Sequence, residues 1–139
     1  MNRHDDWDMR LSLYIATAAT HIFKWGKHDC VHFAAGAFNA VYDLNPIDIL
    51  PKYRTRSGAY RIINSINSDG LWAATDAYLK PYDMKRVPPM FAEHGDIVGA
   101  FNHEGLEMMG VMEDSGTATF AGPRGLVRMR LGDVEARWK

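Results

Sequence analysis

The segment from Cys30 to Tyr42 constrains the fold more than any other stretch of the chain. On a helical wheel only His32, Gly36, Asn39 and Asp43 mark a narrow polar strip, while Val31, Phe33, Phe38, Val41 and four alanines cover the remaining circumference. A helix this apolar must be central, with neighbours on most of its sides. Asp29 is placed to cap its start. Asn45-Pro46 stops the helix, because proline disfavours helical geometry in the residue before it.

The flanking sequence supplies the neighbours. Asp5 or Asp6 caps a first helix expected to run to about Phe23, with Leu11, Ile15, Ala18 and Ile22 on one stripe. Trp25-Gly26-Lys27-His28 breaks it. Leu50 to Arg56 reads as a loop, followed by a third helix from about Ser57 to Ile66, a stop at Asn67-Ser68-Asp69-Gly70, and a short fourth helix from about Leu71 to Leu79. After Pro81 the pattern changes to strand-like runs, Asp96 to Phe101, Leu106 to Met112, Thr117 to Ala121 and Leu126 to Leu131, separated by turns short enough for hairpins. Helices first and an antiparallel meander second make an α+β domain. No repeat or linker divides residues 1–139, whose helical half is about 1–80 and whose β half is about 85–139.

A chain of 139 residues is long enough to bury roughly two thirds of its unfolded surface, so its core needs neither disulfide nor structural metal. The single cysteine, Cys30, excludes an internal disulfide. Sixteen basic against seventeen acidic residues, with no run of five like charges, argue against nucleic-acid binding as the main role and against docking on an anionic membrane. The longest charge-free stretches fall short of the ~18 apolar residues of a membrane span. The opening residues lack the apolar run of a secretory signal, so synthesis in a cytoplasm is expected.

Cys30 is the sharpest chemical feature. At the first position of a helix, unpaired N–H groups and the helix dipole favour negative charge and lower a thiol pKa. Free cysteine is also a small apolar residue that cores readily bury. Position alone leaves both readings open.

Gly26-Lys27-His28-Asp29-Cys30 leading into a small-residue helix, followed by Gly95-Asp96-Ile97-Val98 opening a hairpin, resembles the NlpC-type branch of papain-like cysteine peptidases. Within that branch the chain is most similar to small bacteriophage-encoded proteins found among virion and tail genes. The resemblance also touches Tyr53, Thr55, Gly58-Ala59, the turn from Gly122 to Leu126, and Ala136-Arg137-Trp138. It implies a papain-like single domain, with Cys30 as nucleophile and Asp29 as the acidic residue commonly preceding it. A histidine on the strand after the Gly-Asp hairpin would act as base, with a third polar residue on the next strand. The implied substrate is a peptidoglycan peptide bond or similar amide, no cofactor is implied, and the implied partners are other virion or tail proteins.

Met108 stands where that histidine is expected, and the third position falls near Thr119 or Phe120. Methionine has no proton to exchange. Two histidines are candidate substitutes: His103, in the turn five residues ahead of Met108, a span of roughly 16 Å in an extended strand, and His94, beside Gly95-Asp96. His28 reads as a solvated loop residue, and His32, on the polar strip, as a hydrogen-bonding one. A zinc site from His28, Cys30 and His32 would need an extended segment; on a helix the three spread around the axis. The leading expectation is therefore a bacteriophage virion component, in the tail or ejection apparatus, that uses the fold as a structural or docking module with impaired catalysis. The alternative is an active cysteine peptidase or amidase opening peptidoglycan during entry.

Plainer expectations cover the rest. Gly95-Asp96 is a turn before a strand, the methionines at 108, 109 and 112 pack a sheet face, and Arg124, Arg128, Arg130 and Arg137, diluted by Asp133 and Glu135, make a solvated or partner-facing surface of the last strands rather than a nucleic-acid groove.

Overall fold

A computed structural model describes residues 2–44, 46 and 50–139. Four helices precede a sheet: α1 (Trp7–Ala18), α2 (Cys30–Val41), α3 (Arg56–Ile66) and α4 (Leu71–Leu79). The six strands are β1 (Arg86–Val87), β2 (Ile97–Phe101), β3 (Glu107–Met112), β4 (Thr117–Gly122), β5 (Gly125–Arg130) and β6 (Ala136–Trp138). All pairings are antiparallel, in the order β1-β6-β2-β3-β4-β5. The expected α+β class and the β2–β5 meander are present.

Helix α2 is central as its composition demands: Phe33, Ala37 and Val41 are fully buried, and its core neighbours come from α1, α4 and the sheet. Gly36 lets α1 press close, since a Cβ there would lie 2.1 Å from the Tyr14 hydroxyl oxygen. That hydroxyl donates to the Phe33 carbonyl at 2.9 Å. Thr55 caps α3 by accepting from the Gly58 N–H.

Strand alternation splits the sheet into two covered faces. Ile97, Met109, Val111, Ala121, Ala136 and Trp138 pack toward the helices. Val98, Ala100, Met108, Met112 and Phe120 pack on the other side against Ala92 and Val134, from the short 3-10 turns at 89–91 and 131–133. The three methionines thus pack the sheet as expected, but on both faces.

Several expectations need correction. Helix α1 ends at Ala18, not near Phe23, and Ile22 is 87% exposed. Beyond Ala18 the stripe has nothing to pack against, and the Thr20 hydroxyl takes up the Thr17 carbonyl that further helix would have used. Asp6 holds the cap position of α1, but its carboxylate pairs with Arg10 rather than with a backbone N–H. Helix α2 ends at Val41; Asn45 of the expected stop lies outside the described residues. The short strands β1 and β6 were not anticipated, and β6 inserts between β1 and β2.

Ion pairs hold β6 in place. Asp96, 4% exposed, stands 2.7 Å from Arg137 Nε and 3.2 Å from Arg3, and accepts from the Glu93 N–H of its own turn. Arg137 is consequently buried and does not extend the basic surface of the last strands. Asp76 on α4 accepts from the Trp138 indole at 2.8 Å and pairs with Arg86 of β1.

Candidate functional site

The chain reaches α2 through a tight turn. Lys24 and His28 exchange backbone hydrogen bonds of 2.9 and 2.8 Å, so Trp25-Gly26-Lys27 forms a small closed loop. Gly26 has φ +82°, and a Cβ on it would lie 1.9 Å from the Tyr53 carbonyl oxygen. Only glycine satisfies both the left-handed backbone and that approach. The loop before α2 is thereby pressed against the loop before α3, which brings Tyr53 to the start of α2.

Asp29 caps the helix at the point of contact. Its carboxylate, 1% exposed, accepts from the Gly26 N–H (2.9 Å), the His32 N–H (2.8 Å), His32 Nδ1 (2.9 Å) and the Tyr53 hydroxyl (2.7 Å). Burial pushes this carboxyl up, but the bonds from His32, Tyr53 and Gly26 outweigh it and hold the group below its ordinary value. A carboxylate only accepts, so His32 Nδ1 carries the proton in this network. Burial, with Asp29's charge beside it, raises the Tyr53 hydroxyl well above its ordinary value.

Cys30 follows one residue on. It is half-buried and packs against core residues of both sheet faces. Burial pushes the thiol up to about 11 and the negative charge of Asp29 adds to the rise, while the backbone N–H groups of Met109, Val31 and Cys30 itself oppose it. The Asp29 carboxylate takes the His32 N–H of the first turn and sets its own negative charge beside the thiol, which opposes the helix dipole.

The four sequence-derived candidates do not converge. Asp29 and Cys30 are adjacent, but the Asp29 carboxylate is engaged by Gly26, His32 and Tyr53. His103 sits at the tip of the β2–β3 hairpin with a 79% exposed side chain, 3.6 Å from Glu104, which pairs with Arg56 of α3. His94 packs edge-on against Trp7 at 4.7 Å, with its Nε2 buried and unpartnered, and its carbonyl accepts from Arg3. Among the described residues, no histidine ring hydrogen-bonds the Cys30 sulfur. Met108, at the expected base position, faces the side of the sheet away from the helices, alongside Met112 and Phe120.

His28 is buried rather than solvated. It packs edge-on against His21 and Phe33, and burial together with His21 lowers its pKa, with Asp29 opposing. His28, Cys30 and His32 thus have three different sets of partners, and among the described residues no three metal-ligating side chains group together.

Sequence reasoning assigned no role to Tyr53 as the partner of Asp29, nor to Lys24, Lys27, Lys52 and Arg54, which line the pocket outside this network. The two loops lie some 25 positions apart, and the one local signal of their contact was Gly26 in a turn.

The family described as Domain of unknown function (DUF6950) matches residues 2–139. No curated protein and no solved structure matches the chain.

Proposed function

The chain belongs to the DUF6950 family, a domain of unknown function, and from that premise we propose that it is a bacteriophage virion component whose NlpC-type, peptidase-derived fold serves as a structural or docking module without catalysis. The observation that carries this reading is the environment of Cys30. A thiol raised to about 11 by burial, with Met108 at the expected base position and, among the described residues, no histidine ring hydrogen-bonded to its sulfur, lacks the lowered pKa and adjacent base of an activated nucleophile. An acyl-transfer enzyme needs both. The virion location, in the tail or ejection apparatus, rests on the sequence resemblance to phage tail and virion proteins.

The test is twofold. Purified protein incubated with peptidoglycan fragments is expected to give no Cys30-dependent cleavage, and a phage carrying Cys30→Ala is expected to keep its infectivity while deletion of the gene blocks particle assembly. Cleavage that disappears in Cys30→Ala would establish the peptidase reading instead.

A further inference from the structure

Four cationic side chains, Lys24, Lys27, Lys52 and Arg54, line one solvent-open pocket of about 680 Å³ together with His32 and Tyr53. All four are exposed, and among the described residues none of them is in an ion pair. No described acidic residue lines the pocket; the Asp29 carboxylate lies behind His32 and Tyr53, consumed by its four donors. A chain with formal net charge −1 therefore gathers four of its 16 Lys and Arg residues around one depression. Unpaired like charges repel one another across such a concavity, and an anion entering it relieves that repulsion.

We propose that this pocket binds a compact polyanion, a small molecule carrying closely spaced phosphate or carboxylate groups. Its volume suits a small ligand, since such sites span roughly 300–1,000 Å³. The Lys ammonium groups act as point charges, and Arg54 offers a planar fork for paired oxygens. The helix start itself is not the anion site, because Asp29 already occupies the Gly26 and His32 N–H groups. Side chains from two loops do the binding, and the Gly26–Tyr53 contact holds those loops together. Cys30 does not line the pocket, so the site is independent of the thiol's reactivity.

Calorimetric titration of the full chain with pyrophosphate and, separately, with citrate tests the proposal. Saturable one-site binding of at least one probe is expected, weakening about tenfold or more in the Lys27→Ala/Lys52→Ala double variant and on raising salt from about 50 to about 500 mM. The Lys27→Arg/Lys52→Arg variant should retain binding, and Cys30→Ala should leave it unchanged. The preferred probe distinguishes phosphate from carboxylate recognition. Absence of binding by both probes at millimolar concentration, or binding that the Ala double variant does not weaken, overturns the proposal.

Discussion

The first turn of α2 faces two environments that treat neighbouring acids in opposite ways. Asp29 is almost fully buried, yet ionised, because four donors from Gly26, His32 and Tyr53 converge on two oxygens. Half-buried Cys30 packs on the core, with the backbone N–H groups of Met109, Val31 and its own residue lowering its pKa and the charge of Asp29 beside it, and burial raises the thiol all the same. Burial raises both groups; at Asp29 the hydrogen bonds outweigh it and at Cys30 they do not. The position expected of a nucleophile carries a thiol with a raised pKa, next to a capping carboxylate whose partners His32 and Tyr53 line a basic pocket.

The comparison can be broken most forcefully at Asp29. Asp29→Ala removes the cap of the central helix and strands the Tyr53 hydroxyl and the His32 ring, so a loss of about 3 kcal/mol is expected in denaturant unfolding. The same carboxyl makes stability fall in acid. Its folded pKa lies below the ordinary 3.8, so its contribution is present above that value and is lost as pH falls through the lower folded one. Wild-type stability should thus decline more steeply than that of Asp29→Asn below about pH 4. Tyr53→Phe deletes one hydrogen bond to a charged acceptor and should cost about 1.5 kcal/mol, with His32 and the backbone still holding Asp29. Cys30→Ala is the smallest change, about 1 kcal/mol at neutral pH, because it loses packing and no polar partner of consequence. The sign of its pH dependence is the reverse of that at Asp29. A folded thiol pKa of about 11 against 9.0 stabilises the wild type below 9.0 and ceases to do so as pH rises through about 11, so the gap to Cys30→Ala should close in alkali.

Much of this layout was legible in the residues. The composition of Cys30 to Val41 announced a central helix, and Thr117 to Gly122 with its neighbours announced a meander, because period and turn chemistry act locally. The end of α1 was misread because Ile22 continues the apolar stripe; only the absence of a packing partner reveals that the helix has stopped. Strands of two and three residues such as β1 and β6 carry no period at all. Their pairing depends on Arg137 meeting Asp96 and Trp138 meeting Asp76, contacts across 41 and 62 positions. At the site, the cap role of Asp29 was readable from its place before an apolar run. The convergence of Lys24 and Lys27 with Lys52 and Arg54 was not, since it follows from how two loops pack around Gly26. An even overall charge balance concealed that local concentration.

The most direct test of the account is the alkylation rate of Cys30 by iodoacetamide as a function of pH, in the folded protein with free cysteine as reference. The account predicts labelling slower than the reference at neutral pH, rising with an apparent pKa near 11. Labelling faster than the reference at pH 7, with a plateau below pH 8, would contradict it and identify an activated nucleophile.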